Sequence, residues 1–172
     1  MWLLLFLPMV LHMGFQTGTE GFQSSLRNPC TVTWVKSGAL ESEGALKIVG
    51  DPQDRGRASA WVPIEGIGPI STDSRLTFWV RGNKKPMRVR IIFHPENGSA
   101  DYYHWWQNVE VSDKWQKVTI PLKNSRPLWS SNYPYVLTPG KKPDLFIFFE
   151  NLEPGHFEVT VDEISLEKGG SR

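Results

Sequence analysis

The stretch RVRIIFHPENGSADYYHWW, from Arg88 to Trp106, carries the strongest evidence for the fold. Apolar residues at positions 89, 91 and 93 alternate with arginines at 88 and 90, which is the period of a strand with one face in a core. A polar link containing the turn pair Asn97-Gly98 follows, and the chain then returns as YYHWWQNVEV. The pattern predicts two neighbouring antiparallel strands.

The same alternation predicts which side chains face solvent. Val109 and Val111 set the inward register of the second strand, and counting back by twos places Tyr103, Trp105 and Gln107 inward as well. The opposite face then carries Arg88, Arg90, Tyr102, His104, Trp106, Asn108 and Glu110. An extra residue bulged out of the YYHWW run would reverse this order and turn Trp106 into the core.

The rest of the chain is divided into short strands. From Gly21 onward no window shows the apolar spacing of an amphipathic helix, whereas alternating segments recur between Gly, Pro and Asn residues. We predict an all-β fold with about nine strands in a two-sheet antiparallel β-sandwich. The predicted strands are Thr31–Lys36, Ala45–Val49, Ala58–Pro63, Arg75–Arg81, Arg88–His94, Tyr102–Val111, Gln116–Pro121, Asp144–Asn151 and Phe157–Glu167.

The composition limits the class of function. The 172 residues suffice for one domain with a core and are too few for two ordinary domains. The 19 basic and 18 acidic side chains nearly cancel, which argues against nucleic-acid binding, because that binding depends on a basic surface. The eight tryptophans are many for so short a chain and are typical of a binding platform.

The N-terminus begins with an apolar run from Trp2 to Leu11. The run has the length of a signal-peptide core and is too short to span a bilayer, although no Lys or Arg precedes it. We predict a signal peptide over residues 1–18, a domain over 19–168 and a tail over 169–172, and therefore a secreted or periplasmic protein without a membrane span. The alternative is a mis-assigned or truncated gene start.

Three short segments in a fixed order resemble a known family. They are TFWVRG at 77–82, WQKV at 115–118 and VDEI in the closing strand at 161–164. Together they resemble the carbohydrate-binding modules of the galactose-binding-like jelly-roll superfamily, which are appended to cellulases and xylanases. The resemblance covers roughly residues 20–168. It implies a jelly-roll β-sandwich that binds sugar without catalysis, on a sheet face or in a loop at one end.

The resemblance also implies a structural calcium ion between the first and last strands. In many members an Asp of the closing strand is one ligand, and Asp162 stands at that position with Glu20 as its N-terminal partner. Calcium takes about six to eight oxygen ligands, of which these two carboxylates would be part. The alternative is that Asp162 caps the closing strand.

The candidate ligand-binding residues belong to the arginine-bearing face. Aromatic rings pack on the apolar faces of sugars, and charged or amide groups bond their hydroxyls. Trp79, which alternation places outward, joins this face if its strand neighbours the arginine strand. The predicted ligand-binding residues are Trp79, Arg88, Arg90, Tyr102, His104, Trp106 and Glu110.

The two arginines leave the ligand class open. One reading is a cross-strand salt bridge to Glu110, which would contribute little to stability. The other is recognition of an acidic polysaccharide, since Arg binds carboxylate or sulfate with two parallel hydrogen bonds. The resemblance by itself favours neutral β-glucan or xylan-like chains.

Two further functions stay open. A protein-binding accessory or adhesion sandwich, partnered by a catalytic domain or another protein, could use the same face as its hot spot. A polysaccharide lyase could use Tyr102 and His104 as base and acid. No pair of facing carboxylates, as a glycosidase needs, can be read from the sequence, and we predict a non-enzyme.

Overall fold

The computed structural model describes residues 9–27, 29–39, 42–51, 57–64, 74–94, 103–122, 126–127 and 144–167. These ranges contain strands and turns, and no helix able to cross a membrane is found in them. The strands are β1 (Met9–Met13), β2 (Gln23–Ser24), β3 (Thr31–Val35), β4 (Ala45–Gly50), β5 (Ser59–Ile64), β6 (Arg75–Gly82), β7 (Met87–His94), β8 (Tyr103–Val109), β9 (Gln116–Pro121), β10 (Arg126–Pro127), β11 (Asp144–Asn151) and β12 (Phe157–Glu167).

The strands form two antiparallel sheets of six strands each. The front sheet has the order β10-β8-β7-β11-β5-β2, and the back sheet has the order β3-β4-β12-β6-β9 with β1 paired to β12. This arrangement confirms the predicted two-sheet antiparallel β-sandwich. All nine predicted strands are present, and β1, β2 and β10 are additional.

The core lies between the inward faces of the two sheets. Phe78 of β6 and Phe149 of β11 are fully buried, and their rings meet edge to face at 5.4 Å. Phe22, which precedes β2, stacks on Phe149 at 5.7 Å. Because these rings come from both sheets, the core fixes how the sheets face each other.

Residues before position 19 contribute to the back sheet and to the core. β1 pairs with β12, Phe15 is fully buried, and the carbonyl oxygen of Phe15 accepts a hydrogen bond from Trp34 Nε1 at 2.7 Å. Cleavage after Gly18 would remove an edge strand and a core ring. The predicted signal peptide over residues 1–18 and the predicted domain over residues 19–168 stay predictions.

A four-residue link carries the chain from the back sheet to the front sheet. Residues 83–86 join β6 to β7, and these two strands lie in different sheets. Asn83 anchors the link to β12, since its Nδ2 donates to the His156 carbonyl at 2.8 Å and its Oδ1 accepts from the Glu158 amide at 3.3 Å. Strands adjacent in the sequence are therefore not neighbours in a sheet at this point.

Candidate functional site

Side chains from four strands of the front sheet lie in one row. Trp61 of β5 lies opposite Phe148 of β11. Phe148 in turn lies opposite Arg90 of β7, and Arg90 lies opposite Trp106 of β8. Directly opposite residues of an antiparallel sheet share one face, so these four side chains form a continuous line across the strands. The line, here called the aromatic row, covers three strand spacings, or about 14 Å.

The aromatic row faces away from the core. The residues next to Arg90 on β7, Val89 and Ile91, are buried, whereas 24% of the Arg90 side chain is exposed. Trp106 is 40% exposed, and Trp61 is half-buried. The row is therefore available to a ligand in solvent.

One end of the aromatic row is an apolar patch. The rings of Trp61 and Phe148 are stacked, with centroids 6.0 Å apart and an interplanar angle of 17°. Phe146 lies two residues along β11, on the same face, with its ring 5.8 Å from that of Trp61. Three rings from two strands thus present one wide apolar surface.

Arg90 occupies the middle of the row. Its guanidinium carbon lies 4.6 Å from the centre of the Phe148 ring, within the range of a cation–π interaction. It also forms a salt bridge with Glu150 of β11, whose side chain is 1% exposed. The partner is Glu150 and not Glu110, as one reading of the sequence had it, because β11 flanks β7 on the side away from β8. Arg90 is therefore neutralised and held in place.

Arg88 and Trp106 form the other end of the site. The guanidinium carbon of Arg88 lies 4.9 Å from the centre of the Trp106 indole, and its Nε donates to Asn108 Oδ1 at 3.4 Å. The pairing of β7 with β8 is continuous from Met87 to Phe93, without a bulge. The predicted outward register of Trp106 is therefore confirmed, and Arg88, Arg90 and Trp106 share one surface.

The remaining predicted residues of this face are only partly described. Tyr102 lies outside the described residues, and so does the side chain of His104, whose backbone pairs with Ile92. Glu110 follows β8 and is exposed, and its carbonyl oxygen accepts a hydrogen bond from Gln116 Nε2. A role for these three residues in binding stays a prediction.

Trp79 does not join the front face. It lies on β6 in the back sheet, opposite Lys117 of β9 and Asp162 of β12. The expectation that its strand neighbours the arginine strand is wrong, because the link after β6 crosses to the other sheet. Trp79 is thus separated from Arg90 by the whole core.

Three rings of the site were missed by the sequence analysis: Trp61, Phe146 and Phe148. The run LFIFF at 145–149 is apolar throughout, so its pattern does not show which side chains of the predicted strand Asp144–Asn151 face outward. Alternation counted from Phe149 inward would have placed Phe146 and Phe148 outside. In β5, buried Val62 and Ile64 alternate with Trp61 and Pro63, and this pattern would have identified Trp61.

Asp162, predicted as a calcium ligand, is buried and accepts three hydrogen bonds. Its Oδ2 accepts from the Ala39 amide at 2.6 Å and from the Ser42 hydroxyl, and its Oδ1 accepts from the Glu163 amide at 2.8 Å. These contacts tie the segment before β4 to the closing strand. Because Asp162 lies in the middle of β12, these bonds do not cap an end of the strand, as the alternative reading of the sequence had it.

Glu20, the other predicted calcium ligand, bonds within its own turn. Its Oε1 accepts from the Phe15 amide at 2.7 Å. In the part of the chain that the structure describes, no three His, Cys, Asp or Glu side chains are grouped so as to hold a metal ion. Asp162 and Glu20 are the two carboxylates that would belong to a calcium site, and calcium binding stays a prediction.

The two carboxyl groups in the middle of β12, those of Asp162 and Glu163, are costly to ionise. Burial raises the pKa of Asp162, opposed by hydrogen bonds from Ser42 and from backbone amides. Burial also raises the pKa of Glu163, helped by the charges of Asp162 and Glu20 and opposed by His12, whose Nε2 lies 3.1 Å from Glu163 Oε2. Asp162, Glu163 and Glu20 thus form an acidic cluster at the back sheet, which the core separates from the aromatic row.

Comparison with known proteins bears on the fold. No protein-family model and no curated protein sequence matches this chain. Solved structures do match, at low sequence identity. The CBM22-1 xylan-binding domain of Xyn10C from Paenibacillus barcinonensis is 14% identical, with 96% of this chain and 97% of that chain covered and a TM-score of 0.63.

Two matches from Clostridium thermocellum contain bound sugar. The family 11 carbohydrate-binding module in complex with a β-1,3-1,4-mixed-linked tetrasaccharide is 13% identical, with 88% and 90% coverage and a TM-score of 0.57. The CBM22-1-GH10 modules of endo-1,4-β-D-xylanase 10B, complexed with xylohexaose, are 9% identical, with 94% of this chain and 29% of that chain covered and a TM-score of 0.62. The chain therefore has the jelly-roll fold of carbohydrate-binding modules, as the sequence resemblance implied.

Proposed function

We propose that this domain binds a poly- or oligosaccharide along the aromatic row, without catalysis. The observation that carries the proposal is the unbroken line of Trp61, Phe148, Arg90 and Trp106 across four strands. Exposed rings in a line match the repeated apolar faces of a sugar chain, and the guanidinium group in the middle donates to its hydroxyls. The length of the row suits a short stretch of a polysaccharide.

The solved structures of the same fold support this proposal. They include a xylan-binding domain, a module with a bound mixed-linked tetrasaccharide, and modules with bound xylohexaose. At such low identities a shared fold does not by itself imply a shared function. The aromatic row is the feature of this chain itself that supports saccharide binding.

The charges of the face favour binding over catalysis. A glycosidase needs two carboxyl groups that flank the bond to be cleaved. Among the described side chains of the front face, Glu150 is buried and salt-bridged to Arg90, so it cannot approach a ligand as an acid or base. This favours a binding module over a hydrolase.

Structures of the same fold also support a proposal on where the domain acts and with which partner. The Clostridium thermocellum match joins a module of this fold to a GH10 module in one chain. We infer that this domain acts outside the cell and serves a catalytic domain, in the same chain or in a partner, by keeping it on its polysaccharide. A calcium ion bound through Asp162 and Glu20 remains part of the proposal as a stabiliser, to be tested by the change in melting temperature on adding calcium after chelation.

The proposal is tested by affinity electrophoresis of the purified domain against xylan, β-glucan and galactan. We expect retardation by at least one glycan, and binding about tenfold weaker or worse for Trp106→Ala with an unchanged melting temperature, because the exposed indole is a binding platform. Trp79→Ala, which removes a half-buried indole from the opposite sheet, is the matched control and should bind normally.

Absence of retardation by every glycan would overturn the proposal. Equal losses in Trp106→Ala and Trp79→Ala would remove the aromatic row from it. If the domain instead captured the catalytic domain of a polysaccharide-degrading enzyme through Trp106, the protein-binding function would take its place. An unsaturated product absorbing in the ultraviolet would indicate a lyase.

A further inference from the structure

The two arginines of β7 differ in their counter-charge. Arg90 is paired with Glu150, which is buried and has no other described cationic partner. Arg88 lies opposite the same Glu150 in the strand register, yet no salt bridge joins them in the described structure. Glu150 thus lies beside both arginines and forms a salt bridge with only one of them, Arg90.

The terminal N–H groups of Arg88 have no acceptor among the described side chains. The bond from Arg88 Nε to Asn108 Oδ1 is long, at 3.4 Å, and involves a neutral amide. The other contact of the guanidinium is the face of the Trp106 indole, at 4.9 Å. These neighbours therefore orient Arg88. They do not accept hydrogen bonds from its terminal N–H groups, which are the groups that bind carboxylate or sulfate through two parallel hydrogen bonds.

The guanidinium group of Arg88 lies beside the Trp106 indole, on which a sugar ring can stack. Trp106 is exposed and ends the aromatic row, so a ring stacked beside its indole would place its substituents near Arg88. Two lysines of the described surface have carboxylate partners close by: Lys47 lies 2.9 Å from Glu158, and Lys84 lies 3.4 Å from Asp113. Arg88 has no such partner among the described side chains, and unlike Arg81, which also lacks one, it lies on the face that carries the aromatic row. The excess positive charge at Arg88 is local to the proposed binding face.

We infer that the saccharide bound by this face carries negative charge, and that Arg88 binds its carboxylate or sulfate group. This inference rests on the proposed function and adds the ligand class to it. The carboxylate of a uronate and the sulfate of a sulfated sugar can each offer two anionic oxygens to the parallel N–H groups of a guanidinium, so the two sources are separated by experiment.

The test compares ligands that share a backbone and differ in charge. The β-1,4-glucan set is hydroxyethyl cellulose, carboxymethyl cellulose and cellulose sulfate; the second set is neutral arabinoxylan and glucuronoxylan. Affinities are measured by isothermal titration calorimetry at low and high sodium chloride. We expect the anionic member of a set to bind about tenfold tighter than the neutral one at low salt, with the ratio shrinking as salt screens the partly exposed charge.

Arg88→Gln is the decisive variant, because glutamine keeps hydrogen-bond donors and loses the charge. We expect the ratio of anionic to neutral affinity to fall to about one, and Arg88→Lys to retain part of it, since lysine keeps the charge without the two-pronged geometry. Arg81→Gln is the matched control. Arg81 also lies over a tryptophan, Trp115, at 4.8 Å, but in the back sheet, and its loss changes the net charge equally.

Each outcome decides between the two proposals. Equal affinity of the native protein for neutral and anionic members overturns the inference and leaves saccharide binding in place. Equal falls of the ratio in Arg88→Gln and Arg81→Gln also overturn it, because the effect would then be one of net charge. Binding to no member of any set, including the neutral glycans tested above, overturns saccharide binding itself. A preference for carboxymethyl cellulose over cellulose sulfate, or the reverse, assigns the anion.

Discussion

Both outer faces of the sandwich carry an arginine lying over a tryptophan, and their surroundings differ. On the front sheet Arg88 lies over Trp106 at 4.9 Å, and Trp106 continues into the aromatic row. On the back sheet Arg81 lies over Trp115 at 4.8 Å, and the residue opposite Arg81 on the neighbouring strand is Thr160. A stacked pair is thus common to both faces, while a line of rings across strands characterises the front.

The described side chains near Arg81 are polar and form salt bridges and hydrogen bonds with one another. Lys47 lies opposite Thr160 in the register and pairs with Glu158 at 2.9 Å, and Arg81 donates to the hydroxyl of Ser37. These residues line an open hollow of about 470 Å³. The two arginine–tryptophan pairs therefore differ in what the neighbouring strands add: rings on the front sheet and polar side chains on the back sheet. For this reason we propose the ligand site on the front.

The largest expected effect comes from adjacent phenylalanines of β11 that face opposite ways. Phe149→Ala should lower the free energy of unfolding by about 3–5 kcal/mol, because it opens a cavity between the sheets that both faces depend on. Phe148→Ala should cost less, about 1–2 kcal/mol, and should weaken saccharide binding by about tenfold or more. Urea unfolding followed by circular dichroism, with titration calorimetry, measures both. Equal losses of stability would contradict the assignment of Phe148 to the outer face.

The next effect compares one ion pair from each face. Glu150→Ala should lower the free energy of unfolding by about 2–3 kcal/mol, because it leaves Arg90 without the buried acceptor of its charged hydrogen bond. Glu158→Ala, which removes the partner of Lys47 on the exposed back surface, should cost less than about 1 kcal/mol. Thermal unfolding at neutral pH measures the difference. A larger loss of stability for Glu158→Ala than for Glu150→Ala would contradict the greater contribution expected of the Arg90–Glu150 pair.

The smallest expected effect is a pH dependence of opposite sign at two glutamates of β12. The folded-state pKa of Glu163 is raised, mainly by burial, so its contribution to stability is greatest below its unfolded pKa and is lost as the pH rises through the folded value. The pKa of Glu158 is lowered, mainly by its bond to Lys47, so its contribution is present above the unfolded pKa and is lost on acidification.

Thermal unfolding of Glu163→Gln and Glu158→Gln between about pH 3 and 7 checks these signs. Relative to the native protein, Glu163→Gln should gain stability as the pH rises, because the variant has no carboxylate to ionise in a buried place. Glu158→Gln should lose stability over the same range. Parallel curves for the two variants would contradict both pKa directions.

What the sequence could predict depended on how local the information was. The period of β7 and β8 fixed their pairing and the shared face of Arg88, Arg90 and Trp106, since alternation is a property of a few neighbouring residues. The sheet to which a strand belongs is not local. Trp79 was placed with Arg90 because their strands are consecutive, and the link between those strands crosses the core instead.

The other differences also have physical causes. Phe146 and Phe148 stand in a run with no polar residue to mark the outer face, so the run looked like core on both sides. β1 was not predicted, because the strand at Met9–Met13 belongs to an apolar segment with the composition of a signal-peptide core. The hydrogen bonds that Asp162 accepts from Ala39 and Ser42 join positions far apart in the sequence, so no local pattern could predict them.

The aromatic row runs across the strands and not along them, and this direction links distant parts of the polypeptide. Trp61, Arg90, Trp106 and Phe148 belong to segments that meet only in the folded state, so a sugar chain lying on them would contact four strands at once. An unfolded chain could offer no such surface, and occupancy would therefore favour the native state. On a polysaccharide substrate, the domain would resist proteases better than in free solution, because the partial openings that separate these strands would first have to release the glycan.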